Sequence, residues 1–305
     1  MKEEAYQYAP RRWIALTLGL TWVPWAVAIV LGAGQETAEA YSFTATVFTF
    51  AMLGLFGPTI ASLIMVFRSG NQTLKADFRD RLLNLRRISP RFLVLTIVLP
   101  PAVISTAIGI SLLFGQSISQ FSLTADTGEL GKLFMMVLLT MILAPLFEEM
   151  GWRGYGVDSF RSRLSPLKMS LAFGVFWGLW HAPLFWMPGT YHHGLAQMDS
   201  PIYVINFFVS IIPVAIVVNW LFYKNNRSIL AAAVAHSAGN ASGVLIAATP
   251  TTDLIGTGVY IAVALAIIAL DREHFSEGPR TFLVASLGES DVIREVKTRR
   301  DARSI

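Results

Sequence analysis

The segment LFMMVLLTMILAPLFEEMGWRGY (133–155) decides the architecture of this chain. Its first fifteen residues are uncharged and mostly apolar, as in a helix that crosses a bilayer, and two adjacent glutamates, Glu148 and Glu149, follow them. On insertion scales, an ionisable side chain in the hydrocarbon core costs at least about 2.5–3.5 kcal/mol. The segment therefore predicts a membrane protein with a polar functional site inside its transmembrane region.

The combination of an apolar span and an ionisable side chain recurs farther along the chain. Of the 20 acidic residues only the 148–149 pair, and of the five histidines only His181 and His236, lie well within an apolar stretch. Arg153 and Asn240 each lie about one helical turn from one of these groups. We expect all these side chains to belong to one site.

The composition does not fit a soluble domain. The 305 residues are 54% hydrophobic and 14% charged, whereas about 25% charged residues are typical of soluble domains. A helix needs about 20 apolar residues to cross the hydrocarbon core. The sequence therefore predicts an all-α, polytopic membrane bundle of about eight transmembrane helices, at 13–31, 42–67, 92–114, 133–155, 169–187, 202–223, 229–248 and 254–270.

Positive charge is distributed unevenly between the two sides of this bundle. One side holds 23 of the 24 Lys and Arg residues, counting Arg153, and the connections on the other side hold one, Lys132. By the positive-inside rule both termini lie in the cytoplasm, and we expect a multi-pass protein of the plasma (cytoplasmic) membrane. The net charge of +4 reflects this topology and attraction to anionic lipid, so the bilayer is an expected partner and nucleic acid is not.

The chain is predicted to consist of consecutive segments and not of separate soluble domains. These are a cytoplasmic N-terminus at 1–12, N-terminal transmembrane helices at 13–132, a core at 133–248, the last transmembrane helix at 249–270 and a charged cytoplasmic tail at 271–305. The first span exceeds the usual apolar length of a signal peptide, so we expect a retained anchor. The absence of cysteine excludes thiolate nucleophiles and thiolate metal ligands.

The basic cytoplasmic loop at 68–91 has two interpretations. Leu74, Phe78, Leu82 and Leu85 are at helical spacing, which favours an amphipathic helix on the cytoplasmic surface. A solvated loop that only fixes the topology explains its charge equally well.

Three pairs of side chains have the i, i+4 spacing that places both members on one helix face. They are Glu149 with Arg153, Trp177 with His181, and His236 with Asn240. Arg153 can neutralise Glu149, which leaves the preceding glutamate without a partner in its own helix. Counted from the cytoplasmic ends of their spans, the glutamates and both histidines can meet in the cytoplasmic half of the membrane.

These groups supply what the hydrolysis of an amide requires. Glu148, as the unpartnered carboxylate, suits a general base. His181 can help to orient and deprotonate a water molecule or can protonate the leaving amine. His236 and Asn240 offer two donors from one helix face to a developing oxyanion.

A metal site is an alternative use of the same side chains. Glu148, His181 and His236 could be ligands of Zn²⁺, with water in the open position. The sequence contains no HExxH or comparable short zinc motif. Zinc is therefore compatible with the sequence and not required by it.

Three motifs follow one another on the predicted spans. EEMGWR (148–153) fits EExxxR, WGLWH (177–181) fits FxxxH with Trp177 in place of Phe, and HSAGN (236–240) fits HxxxN. Together they resemble the CPBP family of intramembrane proteases, which includes type II CAAX prenyl endopeptidases, lysostaphin resistance protein A-like proteins and bacteriocin-immunity proteins. Each motif alone is weak, but the three in this order are specific. The resemblance makes 133–248 a CPBP-like catalytic core.

The resemblance implies an intramembrane endopeptidase, with catalytic roles for four residues. Glu148 inherits the role of the base, His181 that of water activation, and His236 with Asn240 that of the oxyanion site. The implied substrate is a membrane-bound peptide or a lipidated protein, cleaved near its C-terminus. The choice between a metalloprotease and a metal-free glutamate mechanism stays open.

The resemblance also implies roles for three further residues. Glu149 and Arg153 are carried over as supporting residues. Trp177 keeps a large aromatic group at the family's Phe position, so we expect it to affect the shape of the substrate cavity.

Other interpretations account for parts of the same pattern. A proton-coupled transporter would use the glutamates and histidines as a relay, and a catalytically silent scaffold or immunity protein would keep the fold alone. His192 and His193 lie in a predicted external loop, which favours solvated side chains over a metal site. Asn206 and Asn219 of the sixth span are expected to form interhelical hydrogen bonds.

Overall fold

The computed structural model describes residues 6–32, 44–122, 134 and 137–280. These residues form a bundle of α-helices, and none of the described residues lies in a β-strand. The α-helices are α1 (Pro10–Gly32), α2 (Ala45–Leu55), α3 (Gly57–Phe67), α4 (Gln72–Leu83), α5 (Pro90–Leu112), α6 (Ala144–Gly151), α7 (Val157–Arg161), α8 (Pro166–Trp180), α9 (Tyr191–Ala196), α10 (Ile202–Lys224), α11 (Ile229–Leu245), α12 (Pro250–Leu270) and α13 (Arg272–Ser276).

Four helices, α1, α5, α10 and α12, are long and apolar enough to cross a membrane. They coincide with the first, third, sixth and eighth predicted spans, and the all-α polytopic class is thereby confirmed. The second predicted span is a broken one, because α2 and α3 meet at an angle of 42°. At this break a side chain on Gly57 would collide with Thr21 of α1, with its Cβ atom 2.1 Å from the Thr21 hydroxyl oxygen.

The other three predicted spans are built from shorter helices. The fourth is a helical stretch in which π-helical turns at Val137–Leu143 and Trp152–Gly156 flank α6, and it continues through α7. As expected, this helix does not stop at the glutamates. The fifth and seventh spans correspond to α8 and α11, of 15 and 17 residues. The total of eight crossings and the cytoplasmic side of the termini remain predictions.

An aromatic cluster around Trp152 joins three of these elements. Trp13 of α1 lies 5.9 Å from Trp152, and Phe173 and Trp180 of α8 lie 5.8 and 5.1 Å from it, all edge to face. Edge-to-face contacts of this kind add about 0.5–1.5 kcal/mol each to the burial of the rings. The cluster fixes the position of the π-helical turn that follows the two glutamates.

Helix α3 lies unusually close to the glutamate-bearing helix. The Ser62 hydroxyl donates to the Gly151 carbonyl at 2.8 Å, and the Thr59 hydroxyl donates to the Phe147 carbonyl. A Cβ atom on Gly151 would lie 2.4 Å from Pro58 Cβ and 2.5 Å from its backbone carbonyl carbon. Only glycine allows this approach.

Replacing Gly151 by alanine will destabilise the protein by about 1–3 kcal/mol, because the backbone of α3 cannot yield cheaply to the added methyl group. The measurement is thermal unfolding of the protein in lipid nanodiscs. Gly109→Ala in α5 is the matched control, since a Cβ atom there meets nothing within 4 Å, and it will be neutral or stabilising by about 0.5–1 kcal/mol. Equal stability of the two variants would contradict the close contact between Gly151 and α3.

The loop at 68–91 contains the predicted amphipathic helix, α4. Leu74 and Phe78 are 1% and 2% exposed, whereas Leu85 is 66% exposed and lies outside the helix. The buried face packs against the protein itself: Phe78 faces Gly154, where a Cβ atom would come within 2.6 Å of its ring. The interpretation as a solvated loop is therefore wrong for 72–83.

A buried group of two aspartates and two arginines attaches α4 to the bundle. Arg81 contacts Asp77 at 2.7 Å and Asp158 at 3.2 Å, and Arg227 contacts the same two carboxylates at 3.1 and 2.5 Å. Arg81 also donates to the carbonyls of Arg153 and Gly154, at 2.6 and 2.8 Å. Helix α4 therefore holds the backbone of the π-helical turn directly.

Asp77→Asn will lower the stability by about 3–5 kcal/mol, because it removes one partner from a buried ion pair. Burial alone raises the pKa of Asp77, but the guanidinium groups of Arg227 and Arg81 outweigh burial and hold this pKa below its ordinary value. The contribution is thus present above the ordinary carboxyl range and is lost as the pH falls through the lowered pKa. Unfolding measured in nanodiscs between neutral and acidic pH tests both statements.

Asp80→Asn is the control on the same helix. Asp80 pairs with Arg87 at 2.5 Å, but its side chain is 34% exposed, so the loss will be at most about 1 kcal/mol. A similar loss of stability in both variants would contradict the statement that the buried ion pairs stabilise the protein more than the partly exposed pair does.

The start of the predicted tail contacts the bundle. Arg161 pairs with Glu277 at 2.8 Å, and the Arg280 amide donates to the Arg161 carbonyl at 3.1 Å. The rest of the tail lies outside the described residues, as do Lys132 and the beginnings of the second and fourth predicted spans.

Candidate active site

Glu149 is the centre of a buried hydrogen-bonded group. Arg153 Nη1 donates to both of its carboxylate oxygens, at 2.8 and 2.7 Å, and His236 Nδ1 lies 3.0 Å from Oε1. Glu149 and Arg153 are fully buried. The predicted pairing of Glu149 with Arg153 is present, and the contact with α11 joins the first and third sequence motifs.

The contact with Glu149 fixes the tautomer of His236. A carboxylate that already accepts from an arginine can only accept from the imidazole, so Nδ1 carries a proton. His236 Nε2 makes no hydrogen bond within the described part of the chain. Nε2 can therefore donate to a substrate only when the ring is an imidazolium, and the Glu149 carboxylate stabilises that form by direct contact.

Glu148 has different surroundings although it is the next residue. It is 6% exposed, and its Oε2 accepts a hydrogen bond from Trp152 Nε1 at 3.2 Å. It also interacts electrostatically with His236. Trp177 also interacts with this carboxylate. Among the described residues no arginine or lysine forms an ion pair with Glu148, so, unlike Glu149, it is not neutralised by a guanidinium group.

His181 lies at the end of α8 and not inside a continuous fifth span. The prediction of one helix from 169 to 187 was wrong, because α8 ends at Trp180 and a 3₁₀ turn, Ala182–Trp186, follows. Pro183 explains the break, since it has no amide hydrogen and disfavours helical backbone in the residue before it. His181 therefore lies between the end of α8 and the 3₁₀ turn, and not inside a regular α-helix.

The His181 ring has a defined orientation. Its Nδ1 lies 2.8 Å from the Trp177 carbonyl oxygen, and a carbonyl can only accept, so Nδ1 carries the proton. In the neutral ring Nε2 then has a free lone pair. His181 can accept a proton from water through this atom or bind water in place.

Trp177 lies between the two histidines. Its ring centroid is 6.2 Å from that of His181 and 5.6 Å from that of His236, and the residue is 5% exposed. Trp177 therefore connects the second and third motifs by packing. Its predicted effect on the substrate cavity stays a prediction.

Asn240 is turned toward the helix that carries the glutamates. Its side-chain nitrogen donates to the carbonyl of Thr140, in the π-helical turn before α6, at 2.8 Å. An amide nitrogen has two hydrogens, so one of them is left for a substrate oxygen. The π-helical turn thus positions the second predicted oxyanion donor.

His192 is not the solvated loop residue that the sequence predicted. It belongs to α9, and its ring stacks on His181 with centroids 5.1 Å apart and lies 4.6 Å from Phe207. His193 points elsewhere, with Nδ1 3.2 Å from the Phe185 carbonyl oxygen. The prediction failed because a loop between two spans folds back over the end of α8.

The predicted metal ligands do not form a ligand set in this structure. Within residues 6–32, 44–122 and 137–280, no group of three or more His, Asp or Glu side chains is arranged to hold a metal ion. The use of Glu148, His181 and His236 as zinc ligands stays a prediction.

Two contacts of this site were not predicted from the sequence. Trp152, inside the EExxxR motif, donates to Glu148, and its i, i+4 spacing from that residue could have indicated the contact. Asn219, in the sixth span, accepts from Arg153 Nη2 at 2.9 Å. This residue was expected to bridge helices, which it does, but its partner could not be predicted. Asn206 makes no hydrogen bond through its side chain in the described part of the chain.

The fold and the site define a polytopic membrane protein with a buried carboxylate and imidazole group on three helices. The chain matches the family described as type II CAAX prenyl endopeptidase Rce1-like over residues 130–242. It is 39% identical over 274 residues to CAAX prenyl protease 2 of Methanococcus maripaludis. The aligned region covers 90% of this chain and 98% of that protein. The chain belongs to the CAAX prenyl protease family. This membership supports a membrane-bound hydrolase of the endopeptidase class.

Proposed function

We propose that this protein hydrolyses a peptide bond near the C-terminus of a prenylated, membrane-bound peptide or protein. The relative from Methanococcus maripaludis is named a CAAX prenyl protease, which supports this substrate class. The observation that carries the proposal is the division of labour between the two glutamates. Glu149 is occupied by Arg153 and His236, while the adjacent Glu148 accepts a hydrogen bond from a neutral indole and forms no ion pair with an arginine or lysine of the described residues.

The reaction begins with a water molecule held between Glu148 and His181 Nε2. Glu148 takes a proton from the water, and the resulting hydroxide attacks the carbonyl carbon of the scissile bond. The carbon–nitrogen bond of the tetrahedral intermediate then breaks, and Glu148 returns the proton to the leaving amine, directly or by way of His181 Nε2. Two products form for each water consumed, and the enzyme ends in its starting state.

The oxyanion is stabilised by donors from α11. His236 donates through Nε2 as an imidazolium, and Asn240 donates through its second amide hydrogen. In that state the two carboxylates of Glu148 and Glu149 face two cations, Arg153 and His236. The site is thus electrically balanced before the substrate binds, which limits the cost of burying four charges.

The proposed setting is the plasma (cytoplasmic) membrane, with both termini in the cytoplasm. The support is the concentration of 23 of 24 Lys and Arg residues on one side of the predicted topology. This basic side favours the approach of substrates anchored in an anionic leaflet. A prenyl group would keep such a substrate at the membrane while its peptide enters the site.

The test uses purified protein in nanodiscs and two quenched-fluorescence peptides of one sequence, with and without a prenyl group. We expect cleavage of the prenylated peptide with a kcat/KM at least about tenfold higher than for the unmodified peptide, because burial of the chain in lipid concentrates the substrate. Equal cleavage of both peptides would contradict the prenylated substrate class. No cleavage of either by folded protein would contradict the endopeptidase.

A chelator decides between the two mechanisms. We propose the metal-free glutamate mechanism, because Glu148 can deprotonate water directly while His236 and Asn240 supply the oxyanion donors, so no step of the reaction requires a metal ion. Cleavage will therefore persist after prolonged dialysis against a chelator. Loss of activity that is restored by added Zn²⁺ would overturn this part of the proposal.

A further inference from the structure

Arg153 is held at both of its terminal nitrogens by different helices. Nη1 donates to both oxygens of Glu149, in its own helix, and Nη2 donates to Asn219 Oδ1 of α10 at 2.9 Å. The three residues are at most 1% exposed. A guanidinium group is planar, so holding both nitrogens fixes its rotation as well as its position.

No other polar contact shares this task. Arg153 Nε has no hydrogen-bond partner among the described residues, and the faces of the guanidinium group rest on the rings of Phe173 and Trp177, at 5.2 and 5.8 Å. Contacts with ring faces permit rotation in the plane of the group. The direction of Nη1 toward Glu149 therefore depends on Asn219.

Asn219 is itself fixed by a second helix. Its amide nitrogen donates to Ser170 Oγ of α8 at 3.2 Å, and Ser170 is 1% exposed. The donor and the acceptor of the Asn219 amide are thus both used, which excludes a flipped amide. Through these two hydrogen bonds Asn219 links the guanidinium group of Arg153 to α8.

We infer that Asn219 is a positioning residue for the oxyanion site. The hydrogen-bonded chain runs from Ser170 through Asn219, Arg153 and Glu149 to His236 Nδ1. Asn219 touches neither the substrate nor the reacting atoms. It sets the rotation of the Glu149 carboxylate, which in turn aims His236 Nε2. The inference rests on the proposed peptidase, because it assigns an indirect role in that reaction.

A double-mutant cycle distinguishes this role from a merely structural one. Asn219→Ala will lower kcat for the prenylated peptide by about 10–100-fold, as expected for misplacement of a catalytic group, and KM will stay within about twofold. In a His236→Ala background the same substitution will have almost no further effect, since the group that it positions is gone. Effects of the two substitutions that simply multiply would overturn the inference.

Two further variants are compared with Asn219→Ala by their kcat values. Ser170→Ala removes only the far end of the chain and will lower kcat by less than Asn219→Ala. Asn206→Ala is the matched control, the same substitution on the same helix away from the hydrogen-bonded chain, and it will leave kcat unchanged. An equal loss in the Asn206 and Asn219 variants would indicate a general effect on α10 and contradict the inference.

A measurement that needs no activity separates the inference from the proposed function. Protein labelled with ¹⁵N-histidine has five imidazoles, and the signal missing from His236→Ala belongs to His236. Asn219→Ala will shift the Nδ1 proton of His236 and leave that of His181 unchanged. An unshifted His236 signal would overturn the inference even if the peptide is cleaved. A shifted signal in a protein that cleaves no peptide would support the inference and contradict the peptidase.

Discussion

Replacing Glu148 by glutamine will lower kcat/KM for the prenylated peptide by about 10²–10⁴-fold, the usual contribution of a general base. Glutamine has the same shape, and its amide oxygen can still accept the hydrogen bond from Trp152 Nε1. It cannot take a proton from water. The variant will therefore fold, bind the peptide with a similar affinity and fail to cleave it. Steady-state kinetics and peptide binding in nanodiscs measure the two quantities separately.

The control for Glu148→Gln is another replacement of a carboxylate by its amide, at a residue far from the site. Asp80→Asn, on α4 and partly exposed, will retain the activity of the wild type. Glu148→Asp keeps the base but withdraws it by one methylene group, so it will retain more activity than Glu148→Gln. A Glu148→Gln variant that cleaves at the wild-type rate would remove Glu148 from the mechanism.

The second large effect is expected for His236. His236→Ala deletes one oxyanion donor and will lower kcat by about 10²–10³-fold, as for other donors of this kind. The ion pair of Glu149 with Arg153 remains in this variant, since Arg153 Nη1 reaches both carboxylate oxygens. The protein will therefore stay folded, and KM will change little because the donor acts on the transition state.

His274→Ala is the matched control for His236. His274 lies in α13, at the start of the tail, and contacts Glu277 at a distance of 4.0 Å. Its removal will leave kcat unchanged. If His236→Ala raised KM and left kcat intact, His236 would bind the ground state of the substrate and would not be an oxyanion donor.

Hydropathy predicted the helices that stay regular over a full membrane span. Helices α1, α5, α10 and α12 are of this kind, because about 20 residues of apolar sequence determine them locally. The interrupted elements could not be predicted in the same way. The bend before α3 depends on how closely Gly57 approaches α1, and the end of α8 at Trp180 depends on Pro183.

The candidate site was predictable where its contacts lie within one helix. The pairing of Glu149 with Arg153 follows from the i, i+4 spacing alone, and the structure contains it. Contacts between helices depend on how each helix is rotated about its own axis, and this rotation could not be predicted from the sequence. For this reason the partner of Asn219 and the stacking of His192 on His181 were not predicted.

The buried charges that attach α4 to the bundle illustrate the same limit. The helical spacing of α4 was visible in the sequence, but the burial of its apolar face against the bundle was not predicted. The pairing of Asp77 with Arg227 joins residues 150 positions apart, and charge alone could not distinguish this buried group from a solvated basic loop. Such long-range pairs determine whether a basic segment stays in water or packs on the bundle.

The most direct test of the central claim is mass spectrometry of the prenylated peptide after incubation with purified protein in nanodiscs. The account predicts a shortened prenylated peptide and a released C-terminal fragment, whose masses together equal that of the substrate plus one water. Glu148→Gln will leave the peptide intact under the same conditions. An intact peptide with the folded wild type, or cleavage that is equal in the Glu148→Gln variant, would contradict the account.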